Sequence, residues 1–227
     1  MRPGARRGGA EHPGVSGTIE GMGQSGTPRA DESATPAASG LPPGQREQRA
    51  WPVLHYGPVP RFKPDRWDMQ VYGATADGGK AVWDYEAFEQ LPRCTVKADF
   101  HCVTKFSILG CEWSGVAAAT LLDLMPPAPD AVYALVWAEY GYSANLRVED
   151  LRREGVIFAT HRDGEQLTAD HGFPLRLIVP HLYAWKGPKW VRAVEYLTEE
   201  KRGFWEERGY HNVGDPWREQ RYSYQED

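Results

Sequence analysis

A cysteine beside a histidine and a lysine is the first chemically active feature of the sequence. Cys102 follows His101 and precedes Lys105 by three residues. Nearby positive charge favours the thiolate form of a cysteine, and a thiolate binds soft metals. Taken alone, a cysteine is more often a small buried side chain. Cys94 and Cys111 form no C-x-x-C pair with Cys102, so the spacing disfavours a zinc site.

A second group of candidates surrounds a Gly-x-Pro sequence further along the chain. His171 and Arg176 flank it, and Lys186 and Lys189 follow on either side of a Gly-Pro turn. Arginine offers a planar fork of donors, lysine a mobile charge and a turn its backbone N–H groups, so the three together could bind a phosphate. On their own, basic residues near a turn more often form a solvated face.

Short strands and helices are expected to position these residues. Alternation and β-branched or aromatic content predict strands at Trp67–Gly73, Thr95–Ala98, Tyr133–Ala138, Val156–Thr160, Leu175–Val179 and Trp190–Leu197. Helical spacing predicts helices at Ser114–Met125 and Asp84–Gln90, with a turn at Val148–Arg152. Asp163-Gly164 predicts a tight hairpin. Because no regular βαβ rhythm is present, we expect an irregular α+β domain with a mixed sheet, short helices and long loops that shape a pocket.

Composition divides the chain of 227 residues into two parts. All of its 9 Trp, 11 Tyr and 7 Phe lie from Trp51 onward, whereas residues 1–45 hold 10 Gly and 6 Pro. A segment with so few large apolar side chains cannot offset the entropy lost on ordering. We therefore expect a disordered Gly/Pro-rich leader over 1–45 and one domain over 50–227.

Charge and hydropathy exclude several classes of protein. The formal net charge of −5 argues against a nucleic-acid or anionic-membrane partner. No segment approaches the roughly 18 apolar residues of a membrane-spanning helix, and Arg6-Arg7 precedes no apolar signal core. Three cysteines in a chain without an export signal predict free thiols rather than disulfides. These features together indicate a cytoplasmic protein.

In their order and spacing, the two candidate segments resemble the molybdopterin-binding domain of the sulfite oxidase family. The resemblance covers nearly all of residues 51–227. It is carried by Gly57-Pro58-Val59-Pro60, the Cys102 segment, Gly172-x-Pro174-x-Arg176-x-x-Val179-Pro180 and the Lys189-Trp190 turn. In that family one cysteine thiolate ligates molybdenum. The resemblance therefore implies that Cys102 is a metal ligand in a Mo-molybdopterin site, with Cys94 and Cys111 as structural thiols.

The resemblance also implies further cofactor contacts and a catalytic residue. His171 and Arg176 match pterin contacts. The family's phosphate-binding segment is matched by Gly187, Pro188 and Lys189, with Lys186 as a nearby candidate. His55 and Tyr56 stand where the family has an entry motif. Another cofactor contact is expected within residues 136–140. Tyr210 matches an active-site tyrosine that hydrogen-bonds substrate oxygen and passes a proton. The alternative for Tyr210 is a structural aromatic cluster with Trp205 and Trp217.

The activity implied by this resemblance is oxygen-atom transfer to or from a small molecule such as a sulfur compound. Two electrons would be exchanged with a separate protein partner. Residues 103–107 lack the arginines that follow the ligand cysteine in sulfite oxidases, so the anion pocket is expected to differ. Two other interpretations stay open at this point. One is a non-catalytic molybdopterin-binding or carrier module, and the other is a zinc or thiol protein of unrelated function.

Overall fold

Two β-sheets and three short helices form the part of the chain that the computed structural model describes, residues 40–226. Of the predicted leader, residues 1–39 lie outside this range. The strands are β1 (Arg46–Glu47), β2 (Asp68–Gly73), β3 (Ala81–Asp84), β4 (Cys94–His101), β5 (Phe106–Ala117), β6 (Tyr133–Ala138), β7 (Ser143–Arg147), β8 (Ile157–Arg162), β9 (Glu165–Gln166), β10 (Arg176–Ile178) and β11 (Val191–Leu197). The helices are α1 (Tyr85–Glu89), α2 (Ala118–Leu124) and α3 (Val148–Arg152). This mixture confirms the predicted α+β class.

The larger sheet is organised around the long strand β5. Its order is β1-β5-β8-β10, with β4 also paired to β5 and β9 to β8. β1 runs parallel to β5, and the other pairs are antiparallel. The smaller sheet has the order β3-β2-β11-β6-β7, in which β11 runs parallel to β2 and antiparallel to β6. Within residues 40–226, no helix is long and apolar enough to cross a lipid bilayer.

Two hydrophobic clusters hold these elements together. The larger cluster joins both sheets to α2 and includes the fully buried side chains Met69, Val71, Leu121, Val136, Phe158 and Val194. The smaller cluster lies among β4, β5 and β8 and contains Phe100, Trp113 and Cys102. Burial of apolar surface is the main stabilising contribution in such a fold. The candidate cysteine is therefore anchored in a packed part of the protein.

The strand predictions agree with the structure better than the helix predictions do. The predicted strand Tyr133–Ala138 is β6, and the predicted Asp163-Gly164 hairpin joins β8 to β9 with both residues at positive φ. The predicted helix Ser114–Met125 is wrong over its first four residues, because β5 continues to Ala117 and α2 begins at Ala118. Pairing of Ser114 with β8 overrides the local helical spacing.

The chain contacts the larger sheet ahead of residue 50, where the domain was predicted to begin. Arg46 and Glu47 pair with Phe106 and Ser107 at the start of β5. The Gln45 side chain donates a hydrogen bond to the carbonyl oxygen of Cys102 at 3.0 Å. Residues 45–47 thus support the turn that carries the candidate cysteine.

Gly115 gives a test of the β5–β8 pairing. A Cβ atom at this position would lie 2.0 Å from the carbonyl oxygen of Phe158, so neither strand could keep its place. We expect Gly115→Ala to lower the free energy of unfolding by about 1–3 kcal/mol, the usual cost of overpacking. Urea denaturation measures this change. Gly79→Ala is the matched control, since its Cβ would meet the movable carboxylate of Asp77. Equal stability of the two variants would contradict the close approach.

The hydrogen bonds of Asp150 allow a test of how the stability of the fold depends on pH. Its carboxylate accepts hydrogen bonds from His181 Nε2 at 2.9 Å and from the Arg147 N–H at 3.1 Å. Burial raises the pKa of Asp150, but these hydrogen bonds and the His181 charge outweigh burial and hold the pKa below its usual value. The stabilisation is therefore present above the unfolded pKa of about 3.9 and is lost as the pH falls through the folded pKa.

We expect Asp150→Asn to cost about 1–3 kcal/mol of stability at pH 7 and clearly less at pH 3. The measurement is urea unfolding of parent and variant at both pH values. Asp130→Asn changes an exposed carboxylate that has no ion pair within residues 40–226, and should alter stability little at either pH. A penalty for Asp150→Asn that is the same at pH 3 and pH 7 would show that the ionised form is not the stabilising one.

Candidate functional site

Cys102 lies in the turn between β4 and β5, and not between a strand and a helix as the sequence suggested. Its N–H donates to the carbonyl oxygen of Phe106 at 2.8 Å, and its own carbonyl accepts from the Lys105 N–H at 3.1 Å. The thiol lies 3.1 Å from the Thr104 hydroxyl and is 9% exposed. The turn thus fixes the backbone of Cys102, and a hydroxyl contact orients its sulfur.

The thiol opens into a cavity of about 480 Å³. Most of the predicted site residues line it: His55, Tyr56, Cys102, Arg176, Gly187, Pro188, Lys189 and Tyr210. His171 is outside this lining, but its ring stacks on the lining residue Trp51 with centroids 3.9 Å apart. Of the predicted contact region 136–140, Glu139 and Tyr140 line the cavity. Residues far apart in sequence are thus brought together around Cys102.

Arg176 presents a buried guanidinium to this cavity. Its Nη1 donates to the His171 carbonyl oxygen at 3.1 Å, and the guanidinium lies over the rings of Trp51 and Phe100. Burial lowers the pKa of Arg176 to about 10. Arg176 Nε and His171 Nδ1 are buried and have no hydrogen-bond partner among residues 40–226. Such unpaired buried polar atoms are uncommon and mark places where a ligand can bind.

Other positively charged side chains lie close to Arg176. Lys189 Nζ donates to the Asp170 carbonyl oxygen at 2.6 Å. Burial and the neighbouring Arg176 charge lower the pKa of Lys189 to about 7. Burial and the charges of Lys189, Arg176 and Arg162 lower the pKa of His171 to about 4, so its imidazole is neutral at pH 7. An anionic group bound here would offset this mutual repulsion.

Residues 187–189 follow the cavity edge because Gly187 lets the backbone approach β10. A Cβ atom on Gly187 would lie 2.4 Å from the carbonyl oxygen of Leu177. The Leu177 N–H donates to the Pro188 carbonyl oxygen at 2.9 Å, and the backbones of Arg176 and Lys189 pair in an isolated antiparallel β-bridge. This close contact places Lys189 beside Arg176, and it explains why a glycine stands at this position.

Lys186, the additional phosphate-binding candidate, points away from the cavity. Its side chain is 1% exposed, and Nζ donates to Asn145 Oδ1 at 2.7 Å, Glu206 Oε1 at 2.8 Å and the Asn212 carbonyl oxygen at 2.8 Å. All three ammonium donors are therefore used inside the protein. The expectation that Lys186 contacts a phosphate is wrong for this reason. Lys186 instead hydrogen-bonds residues outside the cavity lining.

Six aromatic side chains form one contiguous side of the cavity, which we call the aromatic wall. Its members are Tyr56, Tyr142, Trp185, Phe204, Trp205 and Tyr210. Neighbouring ring centroids lie 4.8 to 6.2 Å apart. Tyr210 packs on Trp205 as the structural alternative proposed, whereas Trp217 packs beside His101 instead. Tyr210 is thus both a packed ring and a cavity residue.

Several cavity residues could not be identified from the sequence. Trp51, Thr104, Tyr142 and Trp185 all line the cavity, yet none stands in a recognisable motif. Trp51 stacks on His171, and Thr104 contacts the Cys102 thiol. The available signal was proximity in sequence, since Thr104 is two residues from Cys102 and Trp185 precedes the Gly-Pro turn. The high aromatic content of the chain also pointed to such packing.

Comparisons with known proteins identify the family to which this fold belongs. Residues 56–205 match the family described as oxidoreductase molybdopterin binding domain. The chain is 40% identical over 185 residues to the uncharacterized oxidoreductase YuiH of Bacillus subtilis (strain 168). The aligned residues cover 81% of this chain and 92% of that protein. It is 24% identical over 185 residues to the mitochondrial sulfite oxidase of Drosophila melanogaster, covering 70% of this chain and 32% of that protein.

A solved structure shows the same fold. The sulfane dehydrogenase SoxCD from Paracoccus pantotrophus matches with a TM-score of 0.55 and 20% identity, over 62% of this chain and 40% of that chain. Fold and site thus define a cofactor-dependent oxidoreductase domain. The chain belongs to the oxidoreductase molybdopterin-binding domain family, and it is a molybdopterin-dependent oxidoreductase related to the sulfite oxidases.

The residues that line or adjoin the cavity fit this cofactor. The unpaired Arg176 Nε and His171 Nδ1 offer hydrogen-bonding atoms for a polar ring system, and Lys189 offers a cation for a phosphate. In the described chain, no three His, Cys, Asp or Glu side chains lie close enough together to bind a metal ion. A volume of about 480 Å³ suits a molecule of that size.

The pair of Lys186 and Glu206 gives a stability test. Burial lowers the pKa of Lys186, while the adjacent Glu206 charge raises it. Because Lys186→Met would leave a buried carboxylate without its cation, we expect it to cost about 3–5 kcal/mol. Chemical denaturation measures the loss. The double variant Lys186→Met/Glu206→Met should lose clearly less than the single variant, and an equal or larger loss would contradict a charge effect.

Proposed function

We propose that this chain holds Mo-molybdopterin through the Cys102 thiolate and catalyses oxygen-atom transfer to or from a small molecule. One observation carries the proposal. Cys102 lines the same cavity as the buried Arg176 and the half-buried Lys189. A thiolate suits a soft metal, and the two cations suit the polar and phosphate parts of the cofactor. Membership of the molybdopterin-binding family supports the same arrangement.

Different residues would hold different parts of the cofactor. Arg176 and His171 would hydrogen-bond the pterin, since each keeps a buried atom free of any partner in the described chain. The backbone of Gly187 and Pro188 and the ammonium of Lys189 would bind the phosphate. His55 and Tyr56, in the chain segment that precedes β2, would close another side of the cavity. His55 is fixed by a 2.9 Å hydrogen bond between its Nδ1 and the Gly57 carbonyl oxygen.

Tyr210 would act on the substrate. Its hydroxyl makes no side-chain hydrogen bond within residues 40–226, and its ring is held by Trp185 at 5.1 Å and Trp205 at 5.0 Å. Burial and the charges of Tyr222 and Cys102 raise the pKa of Tyr210, which keeps the phenol protonated at neutral pH. The phenol can therefore donate a hydrogen bond to a substrate oxygen and return the proton during turnover.

The bound cofactor supplies two-electron chemistry at molybdenum. The protein side chains provide the binding, the orientation and the proton that this chemistry needs. We propose that a separate electron-transfer protein in the cytoplasm exchanges the electrons, and that the acidic chain, with a net charge of −5, favours a basic carrier. The substrate is a small molecule that reaches the cavity past the aromatic wall.

Cys102→Ser tests the metal ligand. We expect parent protein made in molybdopterin-producing cells to carry about one molybdenum per chain, and the variant to lose most of it or to show a changed electron paramagnetic resonance spectrum, because a hydroxyl replaces a soft ligand. Metal analysis and pterin fluorescence after oxidation provide the measurements. Cys94→Ser is the matched control, because Cys94 is a free, half-buried thiol outside the cavity lining.

Three outcomes would contradict parts of the proposal. Equal losses in the two cysteine variants would remove Cys102 as the ligand. Equimolar zinc without pterin would favour a thiol protein. Bound molybdenum that responds to no oxygen-atom donor or acceptor would favour the non-catalytic carrier instead.

A further inference from the structure

A second cavity of about 360 Å³ lies beside the one that Cys102 lines. The two cavities share Glu139, Tyr140 and Trp190. The rest of the second lining comes from residues 60–63, 66 and 67, from Phe173-Pro174 and from Arg192. A cavity of this volume can enclose a small organic molecule. None of the residues proposed to hold the cofactor lines it, so it is a candidate site for a second ligand.

The second cavity carries an excess of positive charge. Its lining holds one carboxylate, Glu139, and four cationic side chains, which are Arg61, Lys63, Arg66 and Arg192. Glu139 is already neutralised, because its Oε1 pairs with Arg192 Nη1 at 2.7 Å. The Arg192 charge is balanced as well, since Nη2 lies 2.5 Å from Asp68 Oδ1. Three cations of the lining therefore remain without a carboxylate partner.

These three cations suit an anion. The side chains of Arg61, Lys63 and Arg66 are exposed and make no hydrogen bond or ion pair within residues 40–226. In a chain with a formal net charge of −5, three such groups around one cavity form a local positive potential. Arginine binds phosphate through a planar fork of donors, and lysine binds it as a mobile charge. A phosphate group would therefore be matched here.

Aromatic rings line the same cavity. They belong to Phe62, Trp67, Tyr140, Phe173 and Trp190. The Phe62 and Phe173 rings pack edge to face with centroids 4.8 Å apart. Trp67 is 5% exposed, and its indole Nε1 is buried without a hydrogen-bond partner within residues 40–226. A buried indole N–H usually has an acceptor. The second cavity thus offers ring surfaces and an unused donor as well as cations.

Two residues at the boundary that the cavities share have unusual backbone geometry. Tyr140 has a φ of 59° and Trp190 a φ of 57°, in the left-handed region that non-glycine residues rarely adopt. The Glu139 N–H donates to the Trp190 carbonyl oxygen at 3.1 Å and ties the two segments together. Strained positions of this kind cluster at ligand sites. Their place in both linings agrees with a ligand on each side of the boundary.

We propose that the second cavity binds a nucleoside 5′-monophosphate, with the base among the aromatic rings and the phosphate at Arg61, Lys63 and Arg66. Inorganic phosphate would leave the ring surfaces without contact, and an uncharged aromatic molecule would leave the three cations unpaired. A nucleotide uses both, since bases stack on aromatic side chains and phosphates bind arginine and lysine. The Trp67 indole supplies a donor for the base or the ribose.

The nucleotide can come from two sources. It is either a free nucleotide or the nucleotide part of a dinucleotide form of the cofactor, and only the second source rests on the proposed function. Lys189, the proposed phosphate contact, directly precedes Trp190, and its Nζ lies 5.7 Å from the centroid of that ring. A group attached to the cofactor phosphate would therefore reach the second cavity past Trp190.

Acid extraction and mass spectrometry of the molybdenum-loaded protein separate the two sources. A nucleotide released in the same molar amount as molybdenum, and linked to the pterin before hydrolysis, identifies the dinucleotide cofactor. Protein found free of nucleotide is titrated by calorimetry with AMP, GMP, CMP and UMP, with their nucleosides and inorganic phosphate as references. We expect at least one nucleotide to bind more tightly than its nucleoside and than phosphate by about tenfold or more. Equal affinity for phosphate and all four nucleotides would show a simple anion site and overturn the proposal.

Arg61→Gln/Lys63→Gln tests the phosphate contact. It should weaken nucleotide binding by about tenfold or more and leave nucleoside binding unchanged, because only the phosphate loses its partners. Both side chains are exposed, and urea unfolding checks that the fold is intact. Arg49→Gln/Lys97→Gln is the matched control, since it removes an exposed arginine and an exposed lysine outside both linings. An equal loss in the two double variants would assign the effect to overall charge and overturn the site.

The second site and the proposed function fail in different ways. Molybdenum-loaded protein that neither contains nor binds a nucleotide overturns the second site and leaves the proposed function in place. Protein that binds a nucleotide but carries no molybdenum or pterin overturns the proposed function and leaves the second site in place.

Discussion

The buried ion pair between Lys186 and Glu206 joins two of the chain segments that line the cavity. Lys186 precedes Gly187 to Lys189, and Glu206 lies between Trp205 and Tyr210 in the chain. Glu206 Oε1 accepts from both Lys186 Nζ and the Trp185 indole, so one carboxylate fixes a lysine and an aromatic ring of the wall. A buried pair costs much desolvation, and the extra hydrogen bonds that the Lys186 ammonium donates to Asn145 Oδ1 and to the Asn212 carbonyl oxygen help to offset that cost. The cavity thus depends on a polar network that never reaches its surface.

The basic residues in and beside the cavity have the reverse character. Arg176, Lys189 and His171 crowd together, and burial lowers the pKa of each. The Arg176 charge lowers the pKa of Lys189 further, and the charges of Lys189 and Arg176 lower that of His171 further. Arg176 Nε and His171 Nδ1 also lack partners within residues 40–226. The crowded positive charges and the unpaired buried atoms are unfavourable in the protein alone, and both would become favourable on binding of a polar anionic cofactor. The aromatic wall and these basic side chains therefore give the cavity lining an apolar part and a positively charged part.

Strand positions were largely predictable because alternation and β-branched content are local properties. β6 and β11 follow their predicted ranges closely, and Asp163-Gly164 forms the predicted hairpin. The strand β5 was not predictable in this way. Its last four residues, Ser114 to Ala117, have a spacing that also suits a helix, and pairing with both β4 and β8 decides the outcome. Cys102 consequently lies in a β-turn, where the hairpin geometry and Gln45 hold it.

The sequence by itself determined the kind of chemistry in the cavity, because Cys102, Arg176 and the Gly187-Pro188-Lys189 turn are chemical identities in a fixed order that resembles a known family. It also determined the fold class. Only the tertiary structure decided which side chains face the cavity. Lys186 and Lys189 are three residues apart, yet one is buried against Glu206 and the other lines the cavity beside Arg176. Likewise, Trp51, Tyr142 and Phe204 converge from distant segments. Such choices depend on long-range packing and on where a charge finds its partner, which no local pattern encodes.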